Sequence, residues 1–226
     1  PVIGDDLATL DEWQGKQLIA EVGIPVPDGR RTDARSAPDA AEELGFPVVV
    51  KMISTRLLHK TEAGAVMLGL ENASQVVEAV SDIVTAVAAR AGDAATNEYL
   101  VERMVENPVA ELVVGVRNDP LFGPILVMGS GGTLVELVRD TQTLLLPTDQ
   151  PTIYETLESL KISAMIDGFR GRPPGDREAV VDAIINLTRF ADSYRPRLDE
   201  LDINPLMVLE DGVVAVDVLV RMAVPE

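Results

Sequence analysis

The stretch "FPVVVKMISTRLLHKTEAGAVMLGL", residues 46–70, decides the fold. Two short apolar runs rich in β-branched residues flank a polar connection, a pattern that predicts two strands and a loop. Lys51 closes the first strand, where an ammonium is costly unless it meets an anion or snorkels to solvent. The loop carries His59, the only histidine in the chain, beside Lys60 and Glu62.

Upstream, "LDEWQGKQLIAEVGIPVP" (residues 10–27) places Leu10, Trp13, Leu18 and Val22 at roughly helical intervals and stops at Gly23 and two prolines. Downstream, Val76, Val77, Val80, Ile83, Val84 and Val87 trace one face of a long helix. The runs "EYLVERMV", "AELVVGVR" and "GPILVMGS" (98–105, 110–117 and 123–130) are separated by turn formers and imply a second sheet. Helical spacing returns in Val180, Ile184, Leu187 and Ala191, and "INPLMVLEDGVVAVDVLV" (203–220) predicts a hairpin turning at Asp211 and Gly212. This order of elements fits an α+β fold with two sheets.

Composition narrows the chemistry. The 226 residues, 46% of them hydrophobic, suffice for one large domain or two lobes. With no cysteine and one histidine, thiolate and imidazole-rich zinc sites are excluded, so a metal would be hard and held by oxygen. A net charge of −18 opposes nucleic acid and anionic membranes, and an anionic ligand would need a local cationic pocket. The opening residues lack a signal-peptide pattern and no apolar run reaches the length of a membrane span, so the expected location is cytoplasmic. The chain is expected to be part of a longer polypeptide or a β subunit.

There is no phosphate-binding G-x-x-x-x-G-K-[ST] motif, and "GSGGTLVE" (129–136) departs from G-x-G-x-x-G at Leu134. Its glycines, after a strand and before a predicted helix, suit either a tight turn or close backbone approach to an anion. Asp202, Asn204 and Asp217 fall on adjacent strands of the predicted hairpin. Asn204 and Asp217 could meet across it and offer magnesium an oxygen pair, or Asp202 and Asn204 could simply shape the turn before Pro205. Alternation places Asp217 on the face of Ala215 and Leu219.

Taken in order, "LDEWQGKQLIAEVGIPVP", "FPVVVKMIS" with "LLHKTEAGAVMLGL", "VERMVENPVAELVVGVRNDPLFGPILVMGSGGTLVE", "GFRGRPPGD" and "LDINPLMV" with "VVAVDV" resemble the ATP-grasp domain of ADP-forming acyl-CoA synthetases, relatives of the succinyl-CoA synthetase β subunit. The resemblance spans nearly the whole chain. It implies an ATP-grasp fold of two α+β lobes with the nucleotide between them, a smaller lobe near residues 24–98 and a larger one from 1–23 and 99–226. It also implies the reaction of a carboxylate, CoA and ATP to acyl-CoA, ADP and phosphate. By the resemblance Lys51 meets the nucleotide phosphates, Glu102, Met104 and Val105 line the adenine, and Glu111 lies near the ribose. Asn204 and Asp217 become ligands of Mg2+, Asp202 an acidic residue near the travelling histidine, and His59 the residue phosphorylated transiently. A neutral imidazole suits that task near pH 7.

In "HKTEAGAV" Glu62 and Ala65 replace the Asp and second Gly of the usual motif, and Ala65 matters if that backbone needs a positive φ. "VDVLVR" also lacks the early arginine of the commoner ending. The resemblance implies a CoA-binding α module as partner, in the same chain or as a separate subunit, through which the small carboxylic acid and CoA enter. Two alternatives stay open from sequence: a non-catalytic nucleotide-binding or regulatory module, and an ATP-grasp ligase working through an acylphosphate without phosphohistidine.

Overall fold

The computed structural model describes residues 7–57, 60–132 and 140–223. In chain order its first elements are β1 (Leu7–Thr9), α1 (Glu12–Glu21), β2 (Gly29–Thr32), α2 (Ala37–Leu44), β3 (Val48–Met52), α3 (Lys60–Ala63), β4 (Val66–Leu70), α4 (Ala73–Ala91) and β5 (Tyr99–Arg103). There follow β6 (Ala110–Asp119), β7 (Gly123–Ser130), β8 (Thr141–Leu145), α5 (Gln150–Ser159), α6 (Ser163–Ile166), α7 (Arg177–Ser193), β9 (Leu198–Val208), β10 (Val213–Ala215) and β11 (Val218–Ala223). The chain forms two compact units, one of residues 27–104 and one joining 1–26 to 105–226.

The smaller unit is a four-stranded sheet in the order β2-β5-β3-β4. All five residues of β3 are buried, which explains its unbroken apolar reading apart from Lys51. Helices α2 and α4 pack on each other and on the sheet, burying Ala37, Ala41, Val76, Val80, Ile83 and Val87 with Val48, Val50 and Val101. The Asn72 side chain caps α4 by accepting from the Gln75 N–H. The expected stripe on α4 is wider than the buried one, because Val77 and Val84 are exposed and Ala79 is buried.

In the larger unit the sheet runs β1-β11-β9-β6-β7-β8, with β10 paired to β9. Helix α7 buries Val180, Ile184, Leu187 and Ala191 as the spacing predicts. These pack with Leu112, Val114, Leu126, Leu201, Ile203, Val218 and Val220 in the unit's core. Asp176 makes three hydrogen bonds: Oδ1 caps α7 by accepting from Ala179 N–H, Oδ2 accepts from Gly212 N–H, and its own N–H donates to Leu209 O. The "GFRGRPPGD" block thereby fastens the β9–β10 turn to the start of α7.

Two expectations are corrected. The division at residues 24 and 98 moves to Pro27 and Met104, since β5 pairs with β2 and β3. "EYLVERMV" therefore belongs to the first sheet; a short apolar run read locally does not reveal which sheet will receive it. Ala215 and Val218 are both buried in the core, so alternation breaks at Val216 and Asp217, and Asp217 does not share the face of Ala215. Among the described residues no helix is long and apolar enough to cross a membrane.

Candidate functional site

In the smaller unit, antiparallel β3 and β5 set Val49 opposite Glu102 and Lys51 opposite Leu100. Lys51 and Glu102 are thus diagonal neighbours on one face of the sheet. Their side chains meet at 2.9 Å, Nζ to Oε2, with side-chain exposures of 7% and 2%. The lysine that an apolar strand should not tolerate therefore has its anion within the fold, and snorkelling is ruled out. The strand continues into the segment expected to line the adenine: Arg103 N–H donates to Asp28 O and Met104 N–H to Pro47 O. Met104 and Val105 are half-buried.

His59 lies outside the described residues, together with Leu58. Beyond α3 the chain takes a tight turn: Gly64 has φ +71°, Ala65 N–H donates to Lys60 O, and Met52 N–H donates to Ala65 O. Ala65 is fully buried, so the positive φ that its substitution put in question falls on Gly64 instead. A Cβ on Gly64 would meet the Arg90 guanidinium at 2.6 Å, and Arg90 donates to Glu62 O at 3.4 Å.

In the larger unit, the Asn204 N–H donates to Asp217 O at 3.1 Å and Val216 N–H to Pro205 O at 3.1 Å. Asn204 and Asp217 therefore sit across from each other between β9 and the entry to β11, as the hairpin reading expected. Asp202 is opposite Gly115 on one side and Leu219 on the other. A Cβ on Gly115 would stand 2.9 Å from Asp202 Oδ1, so the glycine leaves the carboxylate its space. Burial first, and then the neighbouring Glu200 and Asp217 carboxylates, push the Asp202 carboxyl up to about 6.

These residues fit magnesium better than a metal held wholly by protein. Among the described residues no group of three or more His, Cys, Asp or Glu side chains is arranged for a metal ion. An amide and a carboxylate on facing strands, with acidic neighbours, are the sparse oxygen set that Mg2+ takes when phosphate and water complete its shell.

Glu111 lies on β6, where its carbonyl accepts from Gly131 N–H at 2.6 Å. Gly132 has φ +76°, and a Cβ there would fall 2.6 Å from Glu111 Oε2. The glycine-rich turn thus packs directly on the carboxylate expected near the ribose. Sequence reading missed how the same segment is closed. Ser130 Oγ donates to Asp140 Oδ2 at 2.6 Å, Ser130 N–H donates to Asp140 O, and the Lys161 and Ile162 N–H groups donate to the two Asp140 carboxylate oxygens. Burial works to raise the Asp140 carboxyl, but these hydrogen bonds and the Lys161 charge hold it below the ordinary carboxylate value. The helix predicted after the glycines falls on residues 133–139, outside those described.

Residues 2–222 match the ATP-grasp domain family. The β subunit of acetate–CoA ligase [ADP-forming] II from Pyrococcus furiosus is 30% identical over 98% of this chain and 94% of its own length. Acetate–CoA ligase [ADP-forming] I from Archaeoglobus fulgidus is 32% identical over 90% of this chain, which spans only 30% of that longer protein. A structure of the acetyl-coenzyme A synthetase 1 of Ca. Korarchaeum cryptofilum, solved with coenzyme A and Mg-AMPPCP and with its phosphohistidine segment pointing towards the nucleotide site, superposes with a TM-score of 0.80 at 30% identity, covering 95% of this chain and 92% of that one. The α+β fold, the family match over residues 2–222 and the matched length agree: this chain belongs to the ATP-grasp family, among the domains of ADP-forming acyl-CoA ligases.

Proposed function

We propose that this chain is the nucleotide-binding, phosphoryl-transfer component of an ADP-forming acyl-CoA synthetase, in which His59 carries the phosphoryl group. What carries the reading is the likeness, over almost its full length, to a synthetase solved with a nucleotide analogue and a phosphohistidine segment, with His59 standing between β3 and α3 in this sequence.

In the forward direction an imidazole nitrogen of His59 attacks the γ-phosphorus, the bond to the β–γ bridging oxygen breaks, and ADP departs with those electrons. The phosphoryl group then passes to the acid-activating site, leaving the imidazole free for another cycle. Lys51 supports the charge that moves onto ADP. Glu111 faces the ribose, and the segment leading into Met104 and Val105 lines the adenine. Asn204 and Asp217 would hold Mg2+, which when bound offsets phosphate charge. Asp202, its carboxyl raised and crowded by acids, serves near the histidine.

The named β-subunit relative is one chain of a larger enzyme, so acyl-CoA formation is assigned to this chain together with a CoA-binding α partner that supplies the carboxylic acid and CoA sites. The test is incubation with γ-labelled ATP and magnesium, with and without such a partner. An acid-labile, base-stable label on the wild type, absent from His59→Ala and Asp217→Ala, is the expected result. A label that persists in His59→Ala overturns the relay.

A further inference from the structure

We infer that Glu102 is a positioning residue: its buried carboxylate fixes the Lys51 ammonium for the nucleotide phosphates, and it makes no contact with the base. This rests on the proposed reading of Lys51 as a phosphate-binding lysine. Two independent features of the fold fit the carboxylate's position. On one side Lys51 Nζ lies 2.9 Å from Glu102 Oε2. On the other, β2 sets Gly29 opposite Glu102, and a Cβ on Gly29 would stand 3.1 Å from Glu102 Cγ and 3.3 Å from Val101 O. A residue with any side chain there would press on Glu102, so the glycine accommodates the path its stem takes.

The chemistry comes from burial. A lysine stem has four rotatable methylenes and its ammonium has no preferred planar geometry, so its tip is placed only by what it binds. Within a fully buried strand that partner must be an anion. The glutamate side chain is only 2% exposed and commits Oε2 to this ammonium, which leaves it little surface to offer a base. An ammonium has three N–H donors, so one contact to Glu102 is compatible with phosphate contact at the same nitrogen. The adenine-lining role in this segment then belongs to the backbone and to Met104 and Val105.

The test separates base from phosphate. Calorimetric titration of adenosine and of Mg-ATP is carried out on the wild type, Lys51→Ala, Glu102→Ala and the double variant. The expected result is unchanged adenosine affinity in Glu102→Ala with Mg-ATP affinity lowered roughly 10- to 100-fold, the scale of a lost hydrogen bond to a charged group. The double variant should bind Mg-ATP no more weakly than Lys51→Ala alone. Glu102→Gln, which keeps an acceptor oxygen and the shape, should recover part of the loss. If Glu102→Ala does not fold, Glu102→Gln and Lys51→Met/Glu102→Gln carry the same comparison. Equal losses for adenosine and Mg-ATP, or losses that add in the double variant, overturn the inference while leaving the nucleotide site standing. A wild type that binds neither ligand overturns the nucleotide reading itself.

Discussion

Glu111 occupies the space that a side chain on Gly132 would need, with Oε2 2.6 Å from the position of a Cβ there. The glycine is also held at φ +76°, where L residues are strained. Gly132→Ala should therefore cost stability, about 1–3 kcal/mol from the backbone conformation, and displace the Glu111 carboxylate. The two effects are read separately. Thermal unfolding gives the first, and a weaker affinity for adenosine, which has the ribose but no phosphate, gives the second. A variant that loses stability but keeps adenosine affinity would place Glu111 away from the sugar.

Asp140 clasps the two ends of the segment that includes the glycines. It is buried and accepts from Ser130 Oγ and from two backbone N–H groups, so Asp140→Asn, which cannot accept them all, should cost about 1–3 kcal/mol. The pH dependence has a definite sign. The folded carboxyl lies below its ordinary value of 3.8, so the ionised group's contribution is in place above that value and is lost as pH falls through the folded value. Denaturant unfolding of wild type and variant between pH 7 and pH 3 should give a stability gap that is constant at the upper end and narrows at the lower. A gap that widens in acid would contradict the hydrogen-bonding assignment.

Local patterns carried much of this architecture, and non-local register carried what they missed. The stripe on α7 and the facing of Asn204 and Asp217 come from spacing along short stretches, so they are legible before any fold is known. The link from Lys51 to Glu102 spans two strands far apart in sequence and needs the β3–β5 register. The same holds for Asp140, an isolated acid in sequence that gains meaning only when Ser130 and the start of α6 are brought to it. On α1 the residues that face inward are Glu12, Gly15, Lys16 and Ile19, while Trp13 and Leu18 are only half-buried. A Glu and Lys four residues apart ordinarily describe a solvated helix face, so the spacing of Leu10, Trp13, Leu18 and Val22 points to a different face.

That inward pair yields its own prediction. Lys16 Nζ lies 2.9 Å from Glu12 Oε1, with side-chain exposures of 2% and 4%, on a helix whose Gly15 packs against Val218 and Val220 of β11. Removing one partner leaves a buried charge to be accommodated, so Lys16→Met should cost roughly 3–5 kcal/mol. Replacing both, as Glu12→Leu/Lys16→Met, should recover a large part of that loss. Chemical denaturation of the two variants checks this, and a double variant no more stable than Lys16→Met alone would show that the pair acts through groups beyond each other.

Magnesium dependence tests the facing pair on β9 and at the entry to β11. Asn204 and Asp217 are joined through the backbone hydrogen bond from Asn204 N–H to Asp217 O, so replacing either side chain by alanine leaves that link in place. The wild type should bind a non-hydrolysable ATP analogue more tightly with Mg2+ than with EDTA. At 100 times the dissociation constant, bound analogue should stabilise the fold by about 2.7 kcal/mol. Asp217→Ala should lose most of the magnesium-dependent part, because it removes the charged oxygen donor, and Asn204→Ala should lose less. Binding in EDTA should stay close to the same in all three, since neither side chain belongs to the proposed base and ribose contacts. Melting temperatures measured with analogue, in Mg2+ and in EDTA, separate these cases. If Asp217→Ala keeps the full magnesium increment, the metal lies elsewhere and Asp217 serves only to shape the strand entry.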